Sequence, residues 1–77
     1  MSYYIIGDMM ANSILTAREK EIFSYLINDY STKHIASILG ISDKTVRNHI
    51  SNVIQKLGAS SRSGAVLELI KLNEFSI

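Results

Sequence analysis

A chain of 77 residues has room for one domain with a modest core, and the absence of cysteine excludes disulfide staples, thiolate metal ligands and cysteine nucleophiles. Its net charge of +1 hides an uneven spread: residues 31–57 carry Lys33, Lys44, Arg47 and Lys56 against Asp43, whereas residues 1–30 are net acidic. Positive charge gathered in one segment is the usual footprint of a polyanion site.

Residues 1–14 contain Tyr3, Tyr4, Ile5, Ile6, Met9 and Met10 without caps or a clean period, so they are expected to form an arm ahead of a domain over 15–77. The arm is either frayed or leaning on the domain, or it contacts a partner subunit. Its run YYII is too short to span a bilayer, and no basic stretch precedes a secretory hydrophobic region. A soluble, unprocessed protein of the reducing cytoplasm is expected.

With no proline in the chain, glycine and capping residues supply the punctuation. Thr16-Ala17-Arg18-Glu19 is a capping box, and Ile22, Phe23, Leu26 and Ile27 follow as one apolar stripe, which predicts a first helix over about 16–28. Ser31 caps a second, about 32–39, with Ile35, Ala36 and Leu39 inward and Gly40 as a left-handed stop. Ser42 opens a third, about 43–57, with Val46, Ile50, Val53, Ile54 and Leu57 inward and Gly58 beyond it. Ser61 caps a fourth, about 62–72. No segment alternates with period two for long enough to make a strand, so the fold class is all-α.

A short helix, a tight glycine-containing turn and a longer helix form a helix-turn-helix, whose second helix enters the major groove of DNA. If the apolar stripe of the third helix faces the core, Lys44, Arg47, Asn48, Ser51 and Gln55 face outward, and each can hydrogen-bond. Arg47 can donate two bonds to O6 and N7 of guanine, and Asn48 can pair with N6 and N7 of adenine. Lys44 in the first turn, with Thr32 and Lys33 opening the preceding helix, is better placed for phosphate, next to the free amides of two helix N-termini. Gln55, at the far end of the stripe, is also assigned to phosphate. Any exposed helix has a polar stripe; the glycine turn, cap spacing and local charge are what favour double-stranded DNA over a merely solvated face.

The run LTAREKEIF … STKHIASILGISDKTVRNHISNVIQKLGASSRSGAV, Leu15 to Val66, resembles the LuxR-type helix-turn-helix domain. Leu15-Thr16, Arg18-Glu19, Ile35-Ala36, Leu39, Ser42, Lys44-Thr45-Val46, His49, Lys56-Leu57, Arg62 and Ala65-Val66 all fall in register, and the likeness is strongest to a free-standing, sporulation-controlling member. The resemblance implies a dimeric transcription regulator, with Arg47, Asn48 and Ser51 facing bases and Thr32, Lys33, Lys44, Thr45 and Asn52 near phosphates. It also implies a fourth helix that mediates dimerisation, with RNA polymerase as a further expected partner. Gly64 stands where family members often carry Gln or Glu, which removes the reciprocal half of the Ser61 cap, and Asn73 replaces a common Gly. The chain leaves no room for the receiver or ligand-binding domain of larger members, so its activity is expected to follow its abundance or a separate partner.

His34 and His49 lie on different helices without further ligands, no nucleophile has a base and an orienting acid at suitable spacing, and the glycines form no phosphate loop. A non-enzyme without metal or cofactor is expected. On the fourth helix, Ala65, Val66, Leu67, Leu69, Ile70 and Leu72 span an arc of about 220°, wider than the roughly 100° one core needs. Leu67 and Ile70, with Val66 and Leu72 beside them, are therefore the expected homodimer contacts. Two other readings of that arc remain: a small protein-interaction module, separable from a DNA binder by its weak salt dependence, and a membrane-surface helix, disfavoured because the basic residues lie on another helix.

Overall fold

The computed structural model describes residues 14–75, so the expected arm, apart from Ile14, lies outside the described residues. Among the described residues four helices follow one another: α1 (Ala17–Ile27), α2 (Thr32–Leu39), α3 (Asp43–Leu57) and α4 (Arg62–Lys71). No strand occurs among the described residues, and none of their helices is long and apolar enough to cross a membrane.

Each helix begins where a hydroxyl can satisfy an amide that the helix itself leaves unpaired. Thr16, Ser31, Ser42 and Ser61 all sit in extended backbone and accept from the amides of Glu19, His34, Thr45 and Gly64, at 3.1, 3.0, 3.0 and 3.1 Å. The Ser61 cap keeps this half of the motif because Gly64 still has its N–H, although it has no side chain to return the bond. On α1 the box is complete, with the Thr16 amide donating to Glu19 Oε1 at 2.9 Å.

The two glycine stops act as their spacing suggests, Gly40 at φ 68° and Gly58 at φ 67°. The ends of α1 and α4 are made differently, by left-handed Asp29 at φ 67° and Asn73 at φ 62°. Both helices stop one residue before the expected positions, because the amides of Asn28 and Asn73 bond to Tyr25 and Ile70 three residues back and tighten the final turn.

The core is built around α3, which packs against α1, α2 and α4. Ile22 and Phe23 of α1, Ile35 of α2, Val46 and Val53 of α3, and Ala65 and Leu69 of α4 are fully enclosed, with Leu15, Ala36 and Ile50 nearly so. Three neighbours thus consume one side of α3 and leave the other to solvent.

A second tie is polar. Glu19, only 4% exposed, accepts from Lys56 Nζ at 2.6 Å, and the same ammonium donates to the Ile14 carbonyl at 3.2 Å. Burial pushes the Glu19 carboxyl up, but the Lys56 hydrogen bond, the Thr16 amide, the Lys56 charge and the Thr16 side chain together outweigh it and hold the carboxyl below its ordinary value. The last turn of α3 is thereby clamped to the start of α1.

Candidate nucleic-acid interface

Only Gly40, Ile41 and Ser42 separate α2 from α3. The left-handed Gly40 lets the Ile41 amide reach back to the Ala36 carbonyl at 3.1 Å, a Schellman-type closure, while Ile41 packs its side chain against the core. Ser42 starts the next helix at once. The chain reverses within three residues, and the crossing of α2 and α3 is held by backbone bonds and one apolar anchor.

On α3 the expected division holds: Val46, Ile50 and Val53 are buried, Ile54 and Leu57 half-buried, and Lys44, Arg47, Asn48, Ser51, Asn52 and Gln55 exposed. The side chains of Asn48, Ser51, Asn52 and Gln55 make no hydrogen bond to other described residues, so their donors and acceptors are open to a ligand. Thr45 is half-buried with Oγ1 2.8 Å from Ser42 Oγ, which ties its hydroxyl into the cap. At the start of α2, Thr32 is half-buried and Lys33 exposed.

Charge is distributed less evenly than a count of cations suggests. Lys56, one of the four in the basic segment, is turned into Glu19 and lost to the outer face. Arg47 Nη2 lies 2.8 Å from Asp43 Oδ2, one turn earlier on the same helix. That bond uses one of five N–H donors, so four remain, of which a bidentate pair with a base needs two. Lys33 and Lys44 form no ion pair among the described residues. Residue type and outward position single out Arg47, but its partnership with Asp43 is an additional feature, readable only from their i, i+4 spacing.

His34 is exposed and stacked on Tyr30, with ring centroids 4.7 Å apart, and His49 is half-buried on α3. Among the described residues no group of three His, Asp or Glu could hold a metal ion.

On α4, Ala65 and Leu69 enter the core, whereas Leu67 and Leu72 are 59% and 53% exposed. Val66 and Ile70 are half-buried and line a cavity of about 360 Å³ together with Leu26, Ile27 and Tyr30. That side of the apolar arc faces a cavity shared with α1, and Leu67 is the most exposed member of the arc.

A four-helix core that includes a tight helix-turn-helix and turns a row of hydrogen-bonding side chains to solvent defines a DNA-binding regulator module. The family model GerE, described as bacterial regulatory proteins, luxR family, matches residues 13–69, and the chain belongs to that family of DNA-binding transcription regulators, which are not enzymes. The chain is 51% identical over 70 residues to the spore germination protein GerE of Bacillus subtilis (strain 168), covering 91% of this chain and 95% of that protein. It is 47% identical over 58 residues to the transcriptional regulatory protein DegU of Brevibacillus brevis, covering 75% of this chain but only 25% of DegU. Among solved structures, transcription factor GerE superposes with a TM-score of 0.82 at 65% identity, covering 84% of this chain and 97% of that one. Response regulator ChrA of a heme-sensing two-component system superposes at 0.74 and 33% identity, over 79% of this chain and 30% of ChrA.

Proposed function

We propose that this regulator acts as a sequence-specific homodimer over residues 15–77, with residues 1–14 as an arm and α3 of each protomer in the major groove. The observation that carries this reading is the face of α3. Its apolar side packs against three neighbouring helices, while Arg47, Asn48 and Ser51 remain exposed in a row at helical spacing. Arg47 donates to guanine, Asn48 pairs with adenine and Ser51 completes the base contacts. Thr32, Lys33, Lys44, Thr45, Asn52 and Gln55 meet the phosphates on either side, aided by the amide-rich starts of α2 and α3.

The dimer forms through α4, with Leu67 and Leu72 supplying free apolar surface and Val66 and Ile70 the half-covered flank. Two copies related by a two-fold axis read inverted half-sites about 10 base pairs apart, one helical turn, since both α3 helices must reach the same face of the duplex. Likeness to a spore germination protein over nearly that protein's full length supports control of sporulation genes, exercised in the cytoplasm on nucleoid DNA and through RNA polymerase.

Selection of preferred duplexes from a randomised pool, followed by binding of Arg47→Ala, tests this reading. The substitution should cost about 1–3 kcal/mol on the preferred duplex and relax the choice at one base position. If preferred and random DNA weaken by the same factor, Arg47 contacts phosphate and the base-reading assignment fails. A pool that yields no preferred sequence, with binding indifferent to salt, would favour a protein-interaction module instead.

A further inference from the structure

A carboxylate on the reading face of a DNA-binding helix is out of place, because it repels the phosphates that supply most of the affinity. Asp43 is such a group, at the first position of α3. The positive end of a helix favours an anion there, yet Asp43 does not cap. The cap belongs to Ser42, which takes the Thr45 amide. Asp43 Oδ1 is shielded from solvent and accepts no hydrogen bond from described residues, while Oδ2 lies 2.8 Å from Arg47 Nη2. Among the described residues the only directional contact of this carboxylate is therefore the guanidinium one turn along. The dependence is mutual: the Arg47 side chain is 64% exposed, and Asp43 makes the only polar contact that orients its head among the described residues.

We infer that Asp43 is a positioning residue that holds Arg47 for base reading and penalises binding wherever Arg47 finds no guanine. The inference rests on Arg47 being a base reader. On a preferred duplex the guanidinium keeps its bond to Asp43 and donates two of its remaining N–H groups to guanine. On any other sequence its best alternative is a phosphate. Swinging there breaks the Asp43 bond and leaves an unpaired carboxylate close to the backbone. Asp43 lowers affinity for DNA in general and for the preferred duplex least, so its effect is on discrimination.

The test measures binding of the full chain to a duplex selected from a random pool and to poly(dA-dT), which offers no guanine edge, over a range of salt, for Asp43→Asn, Asp43→Glu, Arg47→Ala and the double variant Asp43→Asn with Arg47→Ala. Removing one repelling charge should steepen the salt dependence on poly(dA-dT) by up to about 0.9 in log K against log[salt], and tighten that binding several-fold near 0.1 M salt. The preferred duplex should gain less, so the ratio of the two affinities falls about fivefold. Asp43→Glu, which can keep the i, i+4 pair, should hold the ratio within about twofold of the parent. With Arg47→Ala already in place, Asp43→Asn should shift both affinities equally.

Thermal unfolding of each variant separates these effects from loss of fold. A ratio untouched by Asp43→Asn but lowered by Arg47→Ala overturns the positioning role and leaves Arg47 as a reader. A ratio lowered by Asp43→Asn just as much when Arg47 is Ala means that the carboxylate acts by charge alone, which also overturns it. A ratio untouched by Arg47→Ala removes the base-reading assignment and the positioning role together.

Discussion

Replacing Lys56 by Met tests the clamp between α1 and α3, because it removes the ammonium and keeps much of the apolar stem. The Glu19 side chain is 6% exposed, and its Oε1 accepts from both Lys56 Nζ at 2.6 Å and the Thr16 amide at 2.9 Å. Breaking a buried pair by removing one partner costs about 3–5 kcal/mol, since the remaining charge is left in a poor solvent. The Lys56 side chain is 33% exposed, so water can reach part of the vacated space, and about 2–3 kcal/mol is expected at neutral pH. For a domain of this size that is a large share of the total stability.

The pH dependence gives the sharper test. The folded-state pKa of Glu19 lies below its ordinary value of 4.5, so its ionised form stabilises the parent fold above that value, and the contribution disappears as pH falls through the folded-state pKa. Without Lys56 the balance moves toward burial, which favours the protonated acid, and acidification then relieves the variant while it weakens the parent. The stability gap should narrow from about 2–3 kcal/mol at pH 7 to below about 1 kcal/mol once Glu19 is protonated in both. Urea unfolding followed by far-UV circular dichroism, at one fixed protein concentration so that association does not shift the midpoint, measures the gap at each pH. A gap under about 1 kcal/mol at pH 7, or one that stays constant down to acid pH, would refute the reasoning.

Lys44→Ala should weaken binding to all duplexes alike and reduce the salt slope by about 0.9, measured by titration at several salt concentrations; an effect limited to one sequence would make Lys44 a base contact. Leu67→Glu should leave the monomer core intact, because Leu67 is 59% exposed, yet abolish the dimer in sedimentation and cost roughly 10²–10⁴ in affinity for paired half-sites while sparing a single one. A dimer that persists would move the interface elsewhere. Inserting five base pairs between half-sites should abolish paired binding by the parent chain, since it places the two readers on opposite faces of the duplex. Gly40→Ala should cost about 1–2 kcal/mol in thermal or urea unfolding, because φ 68° is strained for any residue with a Cβ even though space around it is open. No loss would mean that the turn relaxes to another conformation.

What the sequence alone determines here is what depends on near neighbours. A hydroxyl three residues before an amide, a glycine after the last apolar position and apolar residues at helical spacing all act within a turn or two, and so α2 and α3 begin and end where those signals stand. The outward row Lys44, Arg47, Asn48, Ser51 and Gln55 is legible for the same reason: once Val46, Ile50 and Val53 point inward, helical geometry leaves the others no choice. Only the tertiary structure decides which charges remain available on that row and which apolar surface remains free. Lys56 belongs to the basic segment in sequence but pairs with Glu19, 37 residues away, and no periodicity encodes so distant a partner. Val66 and Ile70 share the apolar arc with Leu67, yet they are half-buried at a cavity shared with α1 while Leu67 stays open. An apolar period states how much of a helix must be buried; how closely its neighbours approach decides which side chains are covered.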